Sequence, residues 1–180
     1  GTVRAVTEFG RTIVAAGSFF RAGELDVNHI ARWNGAAWTT LDNGVDGTVS
    51  ALLVHDGRLI AGGDFETVNG LDISRVARWN GLTWSGLGSG VAGDVDASIS
   101  ALAILGRDLY VGGEFSTAGD LPAAGIARWN QNDGWRSAGS GVAGAVLSLA
   151  VFEGDLIVGG DFPAAGGRPV LGVCGGYQML

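Results

Sequence analysis

The chain has 180 residues, enough for one domain of ordinary size with its own core; 47% hydrophobic content and six tryptophans exclude intrinsic disorder. Its 33 glycines stand beside only three prolines, which marks a turn-rich chain without a collagen-like period. A net charge of −7 repels phosphate backbones and disfavours nucleic-acid binding, one cysteine excludes an internal disulfide, and two histidines are too few for a histidine-based metal site.

In chain order, the opening "GTVRAVTEFG" carries neither the charged nor the apolar region of a signal peptide. From Val3 onward a 17-residue segment recurs without gaps: "VRAVTEFGRTIVAAGSF" (3–19), "VSALLVHDGRLIAGGDF" (49–65), "ISALAILGRDLYVGGEF" (99–115) and "VLSLAVFEGDLIVGGDF" (146–162). A second half follows each of the first three: "HIARWNGAAWTTLDNGV" (29–45), "RVARWNGLTWSGLGSGV" (75–91) and "GIARWNQNDGWRSAGSGV" (125–142). All six tryptophans fall in these second halves, in pairs: Trp33 and Trp38, Trp79 and Trp84, Trp129 and Trp135. The repeat units run about 2–47, 48–97, 98–145 and 146–166, the last being partial.

Each unit reads as four short strands. "SALLVH" and "RLIAGG" form a hairpin across Asp56-Gly57, and "RVARW" and "TWSGL" form a second across Asn80-Gly81; Asn-Gly and Asp-Gly supply the positive φ of tight turns. A loop of about eight residues joins the two hairpins. No run approaches 18 consecutive apolar residues, so no membrane-spanning helix is expected, and helix content should be very low. The expected fold is all-β: a β-propeller-type array of four-stranded blades, three complete and one partial, incomplete or open as a ring. A lone blade leaves its faces uncovered, so blades stack, and the tryptophan pairs supply packing between them. An open arc exposes blade edges through which copies could self-associate.

These repeats resemble the kelch / galactose-oxidase-like propellers. The resemblance lies in the diglycine that closes a strand (Gly62-Gly63, Gly112-Gly113, Gly159-Gly160) and in an aromatic some twenty residues on (Trp84, Trp135), and it covers residues 1 to about 166. Arg-Trp-Asn stands where the family commonly has tyrosine-aspartate, and the first unit has Ala16-Gly17 in place of the diglycine. The resemblance implies a propeller architecture; an oxidase of this kind would need copper ligands, and the chain has only Tyr110 and Tyr177 beside its two histidines.

The candidate binding residues are Asp64, Glu114 and Asp161, the acids that follow each diglycine. They would form a carboxylate ring if they shared a rim; otherwise they accept backbone N–H groups at a corner of the unit. The loops 20–28, 66–74 and 116–124 differ between units, and Asp26, Asn28, Asn69, Asp72 and Asp120 there offer oxygen atoms to a carbohydrate or a cation, without matching a spaced calcium loop. His29 and His55 read as surface or edge residues. Arg32, Arg78 and Arg128 read as cation–π partners or as inter-blade pairs with the acidic series. No metal or other cofactor is implied.

The tail, residues 167–180, breaks the pattern. In ungapped register Gly172 and Val173 match Gly125 and Ile126, Cys174 matches Ala127, and the tryptophans are missing. "PVLGVCGGYQML" resembles the nucleophile segment of class I glutamine amidotransferases of the cobyric acid synthase type, enzymes of cobalamin biosynthesis. That resemblance implies a strand Pro169 to Val173 presenting Cys174 on an elbow, where the thiol would attack a glutamine amide. The family's histidine and glutamate lie downstream, and the sequence stops six residues past Cys174, so a truncated amidotransferase of this kind is expected to be inactive. The favoured expectation is a non-enzymatic binding or structural module from a secreted or cell-surface protein, with a protein or carbohydrate ligand.

Overall fold

The computed structural model describes residues 1–161 and the backbone of residues 172–174. Expectations that fall on 162–171 and 175–180 lie outside the described residues. The fold is all-β, with no helix among the described residues, and it divides into two compact units, Gly1–Gly90 and Val91–Leu180.

In the first unit, strands Val3–Phe9, Thr12–Gly17, Ile30–Trp33 and Trp38–Thr39 lie side by side as one antiparallel sheet. Val49–His55, Arg58–Gly63, Val76–Trp79 and Trp84–Gly86 build a second sheet in the same order. The second unit repeats this with Ser98–Leu105, Asp108–Glu114, Ile126–Asn130 and Gly134–Ser137. It then begins the sheet again with Ala145–Phe152, Asp155–Asp161 and Gly172–Cys174.

Registers are conserved with the sequence. Every outer hairpin carries a β-bulge one residue in from its start, between Val3 and Ala5, Val49 and Ala51, Ile99 and Ala101, and Val146 and Ser148. The glycine opposite each start explains the second glycine of the diglycine. A Cβ on Gly17, Gly63 or Gly113 would collide with the carbonyl oxygen of Thr2, Thr48 or Ser98. In the first sheet Ala16 takes the place of the first glycine within the core, whereas a Cβ on Gly112 would collide with the Val146 side chain.

The turns work in two ways. Asp56 and Gly57 both adopt positive φ, at 49° and 68°, as the Asp-Gly pair predicts. The Asn-Gly turns differ from expectation: Gly35 and Gly81 take positive φ (99° and 102°), but Asn34 and Asn80 act through their side chains. Asn34 Oδ1 accepts the N–H groups of Ala36 and Ala37, and Asn80 Oδ1 those of Leu82 and Thr83, all at 2.8–2.9 Å. Asn130 does the same for Asn132 and Asp133. The connections between hairpins are also more ordered than a plain loop. Each holds a two-residue hairpin: Arg21–Ala22 with Leu25–Asp26, Thr67–Val68 with Leu71–Asp72, and Thr117–Ala118 with Leu121–Pro122. Two-residue strands are too short to show alternation in sequence.

Alternation decides the core. Val14, Ala16 and Ile30 enter a buried cluster with Val49, Leu59, Phe65, Trp79 and Trp84 of the second sheet, while Ala15 and Ala31 point to the opposite face against Phe19, Ala22 and Val27. Strands buried on both faces read as continuous apolar runs, as "TIVAAG" does. The tryptophans pair across the second hairpin, Trp33 with Trp38 and Trp79 with Trp84, with ring centroids 5.5 and 5.3 Å apart. Trp84 also joins the two sheets, its indole N–H donating to Leu41 O at 3.1 Å.

The start of the tail continues the fourth sheet, in a different register from the ungapped one. Cys174 lies opposite Leu156, Val173 opposite Ile157 and Gly172 opposite Val158. In the preceding sheet the corresponding Leu109 faces Trp129 and Val111 faces Ala127. Cys174 therefore takes the ladder position of Trp129, not that of Ala127. The chain between paired residues is two shorter here, and a shift of two keeps each residue on its face of the sheet.

Candidate functional site

The acidic residues after the diglycines sit at the ends of their strands, all exposed. Asp64 Oδ1 accepts the backbone N–H of Thr48, and Ser18 Oγ, its equivalent in the first sheet, accepts that of Thr2 at 3.4 Å. Both serve the incoming strand, the local role available to a residue repeated in every sheet. Glu114 shares a shallow depression with Asp94 and Asp96, whereas Asp161 ends its strand at the border of the described residues. Among the described residues no group of three histidine, cysteine, aspartate or glutamate side chains is arranged to hold a metal ion.

The arginine series also bonds within its own sheet. Arg32 Nε donates to Thr39 Oγ1 at 3.4 Å and Arg78 Nε to Ser85 Oγ at 3.0 Å, while Arg128 pairs with Asp108 at 2.8 Å. Asp108, further fixed by Asn130 Nδ2 at 2.7 Å, lies on the neighbouring strand and not in the series after the diglycines.

A different part of the first unit gathers polar side chains that are not repeated from sheet to sheet. The repeat position held by His29, Arg75 and Gly125 adopts positive φ each time, at 65°, 66° and 67°. Glycine takes that conformation freely, whereas a β-carbon costs about 1 kcal/mol or more. His29 accepts this strain and is 6% exposed, so the expectation of a surface histidine fails. Phe20 stands against its ring, and its backbone is held on both sides: its N–H donates to Phe19 O, and its carbonyl accepts from Gly17 N–H, each at 2.9 Å.

Arg75 in the next sheet is equally buried at 8% but reaches Glu66 Oε1 at 3.4 Å. The position equivalent to Glu66 is Phe20, whose ring stands edge-on to the imidazole at 4.5 Å and offers no hydrogen bond. His29 Nδ1 is thus buried with no hydrogen-bond partner among the described residues.

His29 lines a cleft of about 350 Å³ with Phe20, Asn28, Asn43, Asp46 and Asn69. The two-residue hairpin at Thr67–Val68 brings Asn69 there, with Asn69 N–H donating to Gly44 O at 3.0 Å. The amides form a relay: Asn28 Nδ2 donates to Asn43 O at 2.8 Å, Asn43 Nδ2 to Asn69 Oδ1 at 2.6 Å, and Asn69 Nδ2 to Asp42 Oδ2 at 2.6 Å. Asp46 Oδ1 accepts the N–H groups of Glu66 and Thr67, both at 2.9 Å. Partial burial of Asp46 opposes ionisation, but these backbone donors outweigh it and hold its carboxyl below the usual aspartate value.

The cleft is therefore acidic, rich in acceptors and without an arginine in its lining. Of the loop residues proposed from sequence, Asn28 and Asn69 meet here, while Asp26, Asp72 and Asp120 are exposed away from it, Asp26 beside Arg21 Nε at 3.4 Å. Asn43 and Asp46 were missed because they lie outside the variable loops. Their departure from Ser89 and Ala92 at the same repeat positions is the signal that could have found them.

No protein-family model and no curated protein matches the chain. Among solved structures it is similar to a computationally designed protein, Ika4, with a TM-score of 0.60 at 16% identity, over 89% of this chain and 86% of that one. This is a likeness of fold.

Proposed function

We propose that the chain is a non-enzymatic binding or structural module built of β-propeller-type blades of the kelch-like kind, three complete and a fourth in part. The observation that carries this reading is the division of labour inside the repeat. The hairpin ladder, the bulge and the second glycine recur from sheet to sheet. Polar side chains that the next repeat does not carry at the same positions cluster at one cleft. Such a division is what a rigid scaffold presenting a ligand site requires.

The repeated acids Asp64, Glu114 and Asp161 are read on this view as parts of the scaffold. Cys174 is read as a scaffold residue too, standing at a tryptophan position in a sheet ladder. The experiment is an assay of ammonia release from glutamine by the purified 180-residue chain and by Cys174→Ala. Both should stay at the buffer rate. Release that disappears in Cys174→Ala would replace this reading with the amidotransferase one.

A further inference from the structure

We infer that the cleft beside His29 binds a saccharide ring, an assignment that rests on reading the chain as a binding module. The cleft is unlike its counterpart one repeat on. Asn28, His29, Asp42, Asn43, Asp46 and Asn69 correspond in the repeat to Ser74, Arg75, Gly88, Ser89, Ala92 and Gly119. Amides and carboxylates are thus concentrated at one site and are not demanded by the repeat. The one buried cation of the counterpart is already matched by Glu66, whereas His29 Nδ1 is left unmatched.

The donor and acceptor pattern selects the ligand class. The relay uses one N–H of each amide and leaves Asn28 Oδ1 and Asn43 Oδ1 open among the described residues. A ligand that fills these positions must be rich in donors. An anion finds no arginine in the lining and meets the Asp46 carboxylate, so phosphates and acidic sugars are disfavoured. Hydroxyl groups both donate and accept, and so they satisfy the open oxygens and, in either tautomer, the imidazole nitrogen.

Phe20, 63% exposed, supplies an apolar platform at the mouth of the cleft for the C–H face of a sugar. Its ring covers the His29 imidazole edge-on, and an exposed side chain changes rotamer within nanoseconds, so the ring can swing aside to admit a hydroxyl to Nδ1.

The test uses the whole chain with 15N-labelled histidine, read by NMR while glucose, galactose, mannose or N-acetylglucosamine is titrated. At least one sugar should move the His29 nitrogen signals saturably and leave His55 unmoved. The double variant Phe20→Glu with His29→Arg installs the pair that Arg75 and Glu66 already form, so it should fold. It should bind about tenfold or more weakly, as followed by calorimetry. Asn43→Ala, at an exposed position, should weaken binding in the same direction and covers the case in which the double variant does not fold.

The inference is overturned if no sugar moves the His29 signals, if only calcium or methylammonium does, or if the variants bind as well as the parent chain. Each of those results leaves the binding-module reading standing, because that reading is decided by ammonia release.

Discussion

The first two sheets share the string "ARWNG" and one strand order, yet their tryptophans and their positive-φ residues have different fates. Trp84 is 4% exposed and its N–H reaches Leu41 O; Trp38, at the same place in the first sheet, is half-buried and rests against the face formed by Ala15, Phe19 and Ala31. Arg75 finds Glu66, whereas His29 finds an edge of Phe20. A repeat prescribes the hairpin and the turn. What a side chain touches beyond its own sheet depends on the neighbour, and the neighbours differ.

Substituting the tryptophans probes this contrast most strongly. Trp84→Ala should cost about 3–5 kcal/mol by urea denaturation, since it empties a buried site and strands the Leu41 carbonyl. Trp38→Ala should cost less than half of that. Equal losses would mean that burial by the neighbouring sheet is not what stabilises Trp84.

The glycine contrast comes next. Gly63→Ala places a Cβ against the Thr48 carbonyl and should cost about 1–3 kcal/mol, whereas Ala16→Gly, at the first position, should cost about 1 kcal/mol or less. If Gly63→Ala were neutral, the close approach would not be what keeps the second glycine.

A smaller effect separates the two strained residues. Arg75→Gly relieves φ strain but removes a buried side chain that reaches Glu66, and it should destabilise by about 1–2 kcal/mol. His29→Gly relieves the same strain and loses no hydrogen bond made by Nδ1, so thermal denaturation should show a change within about 1 kcal/mol. A large loss in His29→Gly would make the imidazole a structural member and not one kept for a ligand.

The smallest effect is in pH dependence. The folded-state value of Asp46 lies below its unfolded value of 3.8, so its contribution is present above that value and fades as pH falls through the folded one. Asp46→Asn should flatten the acid limb of stability slightly below pH 3.8 and leave the curve near neutrality unchanged in shape. Identical acid limbs would show that the Glu66 and Thr67 donors do not favour the charged form.

Much of the fold was legible because a repeat aligned against itself exposes its constraints. The strands and the outer hairpins follow from apolar runs and Asp-Gly; of the tryptophans expected to pack between units, Trp84 does so, whereas Trp38 pairs with Trp33 and rests on its own sheet. The two-residue hairpins were not legible, because so short a strand has no period. Nor was the role of Asn80, whose oxygen caps the turn where a positive φ was expected of its backbone. The tail register slipped by two because an ungapped alignment cannot see a shortened connection. Of the cleft, only Asn28 and Asn69 were visible as variable-loop polarity; His29 looked peripheral because its burial comes from outside its own strand.

By itself, then, the amino-acid sequence determined the all-β class, the four-strand order suggested by each unit and the glycines and asparagines of the turns. Those are local matters of dihedral angle and period. Only the tertiary structure decided that a histidine in a glycine conformation is buried with an unmatched nitrogen, and that three asparagines and an aspartate distant in sequence line the same cleft. Desolvation and hydrogen-bond partnership depend on chain segments that meet only in the folded protein.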